Sequence, residues 1–408
     1  MTAPRVTIQY LEDSSGLPGL DQLVRRLRSA AECLPISHLL IGWHLPPPVL
    51  EACRVEADRL GLRFLRWQPM LTSDKGFKAD PSWYVEGLSG CRVPGYHSMP
   101  EFTFFCPNHP AVREAVTNNL AAQLRQGIYQ GFFLDRVRFP SPAADPLQDL
   151  ACFCEHCCRR AAGQGIDLAH IREVILQQSS SETDPFALVK ALLSREASSP
   201  RSTLEQAICQ LLSFRQTSIR DFLALVYSPL REAHMEIGLD CFSPCLTSMV
   251  GQDLQGMSKF ADWIKLMTYA HTNAPAGLPF ELLGLIHFLV EHAAHDETTA
   301  LNIVSKHCGL PLPDKPRGLE TEGLSSLAIE RELRRGSEEV SIPILAGIEL
   351  VDLPGVTCLT PAQIRSDLAA IKRSPVHGLS ISWDLLHISH ERLELVAQAY
   401  FPEDSCLT

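Results

Sequence analysis

Eight short apolar segments, rich in β-branched and aromatic residues, recur along this chain with helical patterns between them, and that alternation constrains the fold more than any other feature. They are Val6–Leu11, His38–His44, Arg63–Pro69, Gly131–Phe139, Ile237–Ser243, Trp263–Tyr269, Ile342–Leu350 and Leu379–Leu385. Strands covered on both faces read as continuous apolar runs, and such runs alternating with helices specify a parallel sheet. Eight of them predict an α/β fold, the (β/α)8 or TIM barrel. The first intervening helix carries Leu20, Leu23, Val24, Leu27, Ala30 and Ala31 on one face. Thr360-Pro361-Ala-Gln363 reads as a capping box, and Pro110 opens a helix bearing Val112, Val116, Leu120 and Leu124, with Gly127 placed for its C-terminal cap.

The connections are unequal, which matters because the loops after the strands build the active face of such a barrel. A long one after the third strand runs from Trp83 and Tyr84 through Tyr96 and His97 to Phe104 and Phe105. A longer one follows the fourth strand and holds a Cys-rich knuckle and several helices; it exceeds a plain crossover. A third begins at His271-Thr-Asn273. The chain is expected to be a single barrel over residues 1–408 with a zinc knuckle and helical insertion at 141–234; a separate helical subdomain at about 155–234 is the alternative.

Composition narrows the function classes. The 408 residues are 45% hydrophobic, ample for a large core, and the formal charge of −11 supplies no basic stripe for a nucleic-acid backbone. The N-terminal residues show no apolar signal core, and no stretch approaches the roughly 20 apolar residues that span a bilayer. A cytoplasmic protein without membrane or nucleic-acid partners is expected; self-association into a homo-oligomer is left open. In that compartment the 14 cysteines read as reduced thiols.

Two neighbouring features carry chemistry. The buried run Phe132-Phe-Leu abruptly delivers Asp135, Arg136 and Arg138, so the strand leaves the core there and its charges face a site. Shortly afterwards Cys152-Phe-Cys154-Glu-His-Cys157 puts three thiols on one tight turn, and a tetrahedral metal site needs one more ligand. Cys106 is the favoured fourth, with His156, His109 and Cys158 as alternatives. Four Cys ligands would make a closed, structural zinc site.

The block Phe105-Cys106-Pro-Asn-His-Pro-Ala-Val-Arg113, then a helix, a strand and the Cys-x-Cys-x-x-Cys turn, resembles the zinc-binding arrangement of glycoside hydrolase family 42 β-galactosidases. The resemblance implies a structural zinc on Cys106, Cys152, Cys154 and Cys157. That family ends its fourth strand in Asn-Glu, whereas this chain has Leu134-Asp135-Arg136. The run from Phe133 to Pro140 is instead similar to uncharacterised glycoside-hydrolase-like barrels whose fourth strand reads Phe-Asp-x-x-Arg-Tyr/Phe-Pro, as are the segments Trp263–Tyr269 and Gly378–Asp384.

A glycosidase acting on an oligosaccharide or polysaccharide is therefore expected, with two carboxyl groups flanking the scissile bond. The family 42 likeness pairs strands four and seven, making Asp135 the acid/base and Glu349 the nucleophile. With a strand-four Asp as nucleophile, Asp240 or Glu349 becomes the acid. Arg138, Tyr269, His271, Trp383, Asp384 and Asp240 are the candidate substrate-binding residues, and Trp67 joins Trp383 as a ring on which sugar stacks, ahead of Trp43, Tyr84 and Tyr96. Two other readings compete: a catalytically silent barrel that binds saccharide or protein, and a metal-dependent hydrolase using His44, His271 and Asp135. No Gly-rich phosphate loop, Gly-x-Ser-x-Gly elbow or His-Glu-x-x-His motif is present.

Overall fold

The computed structural model describes residues 5–11, 19–42, 45–72, 79–93, 99, 102–180, 185–193, 202–292 and 296–401. Its strands are β1 (Val6–Tyr10), β2 (His38–Ile41), β3 (Arg63–Pro69), β4 (Gly131–Asp135), β5 (Glu236–Phe242), β6 (Trp263–Met267), β7 (Ile344–Glu349) and β8 (Gly378–Ser382). Each pairs in parallel with the next, and β8 pairs with β1 to close the barrel. All eight expected strands are present, most of them shorter than the apolar runs that announced them. The difference is clearest at β4, where Arg136 adopts a left-handed backbone (φ 54) and breaks the ladder while Val137 and Phe139 stay buried.

Side chains alternate across each strand, so every second residue fills the barrel. Leu40, Leu65, Trp67, Phe133, Trp263 and Leu345 form that inner core, with the Phe133 and Trp263 rings stacked at 5.2 Å. Gly238 is required beside them, since a Cβ there would lie 2.4 Å from the Trp263 ring. The N-terminal end is plugged by the Glu236 carboxylate, which accepts from Trp263 Nε1 at 2.8 Å and pairs with His38 Nε2 at 2.9 Å and Arg63 Nε at 2.6 Å. This plug leaves the C-terminal end as the face on which a site can open.

The surrounding helices bury their apolar stripes against the barrel's outer surface. In Leu20–Cys33 the stripe is Leu23, Leu27 and Ala30, while Leu20, at the first position, stays 41% exposed. Helix Pro110–Gln126 ends on Gly127 at φ 66, and Pro361–Lys372 starts with the expected Thr360/Gln363 capping box. The connection from β4 to β5 includes helices Glu155–Ala162, Leu168–Ser180, Pro185–Leu193 and the 30-residue Thr203–Glu232. Among the described residues, no helix is long and apolar enough to cross a membrane.

Candidate active site and metal centre

Matching register on neighbouring strands brings the first two carboxylates together. Leu134 of β4 pairs with Leu239 of β5, so Asp135 and Asp240 follow at the same level on adjacent strands and point to the same side. Both line a cavity of about 550 Å³ at the C-terminal mouth of the barrel, together with Arg136, Arg138, Lys265, Tyr269, Trp67, Trp383 and Asp384. Of the candidate residues, Asp135, Asp240, Arg138, Tyr269, Trp383 and Asp384 line this cavity.

Asp240 is only 5% exposed; its Oδ2 accepts from Lys265 Nζ at 3.0 Å, and its Oδ1 has no hydrogen-bond partner. Burial pushes its carboxyl up to about 7, against the pull of Lys265 and with the help of the Asp135 charge. Lys265 lies over the Phe133 and Tyr269 rings at 5.5 and 5.4 Å, and the Asp240 charge outweighs its burial to keep it protonated. Tyr269 donates to Ser382 Oγ at 2.8 Å, which fixes the ring above this pair. Lys265 was missed in the sequence, although a cation at the centre of Trp263-Ile-Lys-Leu-Met267 is itself a signal that something anionic lies inside the barrel.

Asp135 sits at the end of β4 with its Oδ1 accepting the Arg136 backbone N–H at 2.5 Å and its Oδ2 4.0 Å from Arg136 Nε. The left-handed turn at Arg136 makes this contact and lays the guanidinium over Phe102 at 4.5 Å and Trp67 at 5.7 Å. Arg138 is held between the Phe104 and Phe242 rings at 4.5 and 4.4 Å and donates to the Phe139 carbonyl. Of the three described non-glycine residues with positive φ, Arg136 and Ala276 both line this cavity, where backbone strain is most often retained for function.

Two of the expected residues stand elsewhere. Glu349 is 2% exposed and is not among the cavity-lining residues; its Oε1 accepts the His271 backbone N–H at 2.8 Å. Burial pushes its carboxyl up to about 7. His271 is likewise withdrawn from the cavity, its Nδ1 donating to the Glu322 carbonyl at 2.8 Å and its Nε2 paired with Asp367 at 3.0 Å. Burial opposes charge on this imidazole, but the Asp367 hydrogen bond and charge prevail and raise it to about 9. Asp384 lines the cavity while spending its oxygens on backbone, accepting from Leu11 N at 2.7 Å and Leu386 N at 2.8 Å, so it joins β1 to the β8 exit. Tyr84 stacks on Phe105 at 6.1 Å, away from the cavity lining. Trp43, His44, Tyr96 and His97 lie outside the described residues.

The thiols form a second, fully buried centre. The sulfurs of Cys106, Cys152, Cys154 and Cys157 all lie within 4.8 Å of one another, with Cys106 to Cys157 at 3.4 Å and Cys106 to Cys154 at 3.5 Å. A tetrahedron with metal–sulfur bonds of about 2.3 Å has edges of roughly 3.8 Å, so this cage has the size of a metal site. Cys158 instead turns its sulfur to the Phe153 carbonyl, His109 caps its own helix by accepting from Ala111 N, and His156 packs its ring on His109 at 4.3 Å, so Cys106 stands as the fourth member. Glu86 N and Asn108 Nδ2 each donate to a sulfur at 3.3 Å. Arg215 is wholly buried, stacked on Phe139 at 4.8 Å and donating from Nη2 to the Pro140 carbonyl at 2.9 Å, with Nε and Nη1 unpartnered and the Cys152 and Cys157 thiols among its electrostatic neighbours. A buried cation with orphaned donors fits a cage that turns anionic when four thiolates hold a divalent metal.

No family model matches the chain, and no curated protein matches it in sequence. Solved structures do match it in fold. The glycoside hydrolase domain of PgaB (BpsB) from Bordetella bronchiseptica aligns over 98% of this chain and 99% of its own, at a TM-score of 0.56 and 13% identity. A β-galactosidase from Halorubrum lacusprofundi aligns over 98% of this chain and 58% of its own (TM-score 0.59, 13% identity). Gan42B, a GH42 β-galactosidase from G. stearothermophilus, aligns over 98% of this chain and 57% of its own (TM-score 0.53, 13% identity). The chain spans somewhat over half the length of these β-galactosidases, and at such identities the likeness is one of fold.

Proposed function

We propose that this protein is a glycoside hydrolase built on one barrel domain that carries the 141–234 insertion, with Asp135 and Asp240 as its paired carboxylates. The observation that carries the reading is their common register on β4 and β5 at the wall of one cavity. Asp240, held near neutral pH in its protonated form by burial, suits the acid that protonates the leaving oxygen. Asp135, at the more open strand end, suits the nucleophile. Glu349, engaged with the His271 N–H, then serves to hold the loop after β6 rather than to attack the sugar.

Adjacent parallel strands lie roughly 4.8 Å apart. Side chains at one level on such strands suit the short carboxyl separation of about 5–5.5 Å found in retaining enzymes, not the wider gap that admits a water. Retention of anomeric configuration follows: Asp135 displaces the leaving group as Asp240 protonates it, and Asp240 then takes the proton from the water that releases the sugar from Asp135. Trp67 and Trp383 offer rings to the sugar face.

The Cys cage, in this reading, binds zinc as a closed structural site tying the Cys106 turn to the Cys152–Cys157 turn and performing no catalytic step. The test is turnover of a broad panel of aryl glycosides by the wild type, Asp135→Asn and Asp240→Asn. Each variant is expected to lose roughly a hundred- to ten-thousandfold in kcat; full turnover by both overturns the assignment, and a wild type that cleaves nothing while binding saccharide makes the barrel a binding protein.

A further inference from the structure

The two sides of the cavity differ in chemistry. Most of the charged groups come from the β4, β5 and β6 side: Asp135, Arg136, Arg138, Asp240 and Lys265. The opposite side, from the exits of β1, β6 and β7, presents Leu11, Pro275, Val351, Leu353 and Val356. These side chains are aliphatic; between them the β8 exit adds the Trp383 and His387 rings and Asp384, whose oxygens accept from the Leu11 and Leu386 N–H groups. A sugar hydroxyl placed against an aliphatic wall loses its water without gaining a hydrogen bond, which opposes binding. An aromatic platform would spare it part of that cost, but methyl groups do not.

The wall is built into the fold. Asn273 N donates to the Val356 carbonyl at 2.7 Å and joins the β6 loop to the β7 loop. Leu353 and Thr357 exchange backbone bonds in an antiparallel bridge, and Leu11 N is held by Asp384. Ala276, on the same loop as Pro275, keeps its left-handed backbone (φ 73) with its N–H on the fully buried Glu281 carboxylate at 2.8 Å. Three loops are thus fixed with their apolar side chains toward the cavity.

From this asymmetry we infer that the cavity accepts a glycoside with an apolar aglycone, the sugar lying against the Asp135–Asp240 side and an alkyl or aryl leaving group against Leu11, Val351, Leu353 and Val356. The inference rests on the proposed glycosidase reading for where the sugar lies, and it deepens that reading by naming the leaving group. A polysaccharide would carry hydroxyls along both walls, whereas an alkyl or aryl glycoside matches each wall with its own chemistry. Burying methylenes of an alkyl chain against this wall is favourable, and a partly covered hexyl chain should tighten binding roughly ten- to a hundredfold over methyl.

The test uses calorimetric titration of full-length Asp135→Asn protein with matched methyl and n-hexyl β-glucosides, β-galactosides and N-acetyl-β-glucosaminides, and with the corresponding disaccharides. The expected result is that at least one n-hexyl glycoside binds ten- to a hundredfold tighter than its methyl partner and tighter than the disaccharide. Leu353→Asn and Val356→Asn, checked for an unchanged melting midpoint, should bring the hexyl-to-methyl ratio toward one. Equal binding of methyl and hexyl members, tighter binding of the disaccharides, or no binding across the panel overturns the inference. A hexyl preference in a protein whose wild type cleaves no glycoside would sink the hydrolase reading and leave the apolar subsite standing; cleavage without that preference does the reverse.

Discussion

Replacing Lys265 by Met isolates the electrostatics on which the proposed acid role of Asp240 depends. The ammonium lies 3.0 Å from Asp240 Oδ2, and both groups are buried. At an effective dielectric of about 20, a unit pair at that distance is worth roughly 5 kcal/mol. Losses of a neighbouring charge typically move a carboxyl by about one to three pH units, because burial and water rearrange in response. Asp240 already stands near 7 with Lys265 in place, so the variant's acid should titrate near 8 to 10. The alkaline limb of kcat/KM reports the essential acid of the free enzyme. It should move from about 7 to higher pH by that amount.

Stability provides the companion readout for Lys265→Met. The folded carboxyl is raised above its unfolded value near 3.9, so proton release from it costs stability as pH rises between the two values. Raising it further extends that loss to higher pH, and the variant should be well folded at pH 6 and lose more stability than the wild type between pH 7 and 9. A variant that folds normally at pH 6 yet keeps its alkaline limb in place, or moves it downward, refutes the assignment of Asp240 as the acid.

Glu349→Gln keeps an oxygen for the His271 N–H and should hold kcat within about tenfold of wild type; a thousandfold loss would return Glu349 to the catalytic pair. Cys157→Ser should lower zinc content, measured by elemental analysis, from one per chain to none and lower the melting midpoint along with it; full stability without metal contradicts the structural role. Arg215→Met should weaken zinc retention against a chelator, whereas an unchanged exchange rate would mean that its orphaned donors do not serve the cage. His271, raised to about 9 by Asp367, contributes stability that is complete below about 6.5 and lost as pH climbs through 9. Melting curves should show this loss in the wild type and a flatter profile in His271→Gln; parallel profiles count against the ion pair.

The barrel was legible because its strands are buried on both faces and mostly apolar, so eight runs stood out against amphipathic helices. Their ends were less so, since apolar residues such as Val137 and Phe139 continue past β4 and remain buried in the loop. Asp135 was legible as a charge leaving a buried strand, and the Cys cage as a compact spacing of soft ligands. The partner carboxylate was harder. Asp240 lies toward the C-terminal end of β5 and Glu349 at the end of β7, and what separates them is the neighbour each one meets: Lys265 and the cavity for Asp240, a loop N–H for Glu349. Such contacts depend on where the loops after β6 and β7 fold back, and spacing along the chain does not encode that.

The central claim, that Asp135 attacks the sugar while Asp240 supplies the proton, is tested most directly by trapping the glycosyl-enzyme. The wild type is incubated with an activated 2-deoxy-2-fluoro glycoside of the hexose it cleaves, and the adduct is located by peptide mass spectrometry. The account predicts one covalent sugar on Asp135, in the peptide that contains Leu134 and Arg136, and none in the Asp135→Asn variant. A sugar on Glu349 or on Asp240, or turnover with inversion and no adduct, would contradict it.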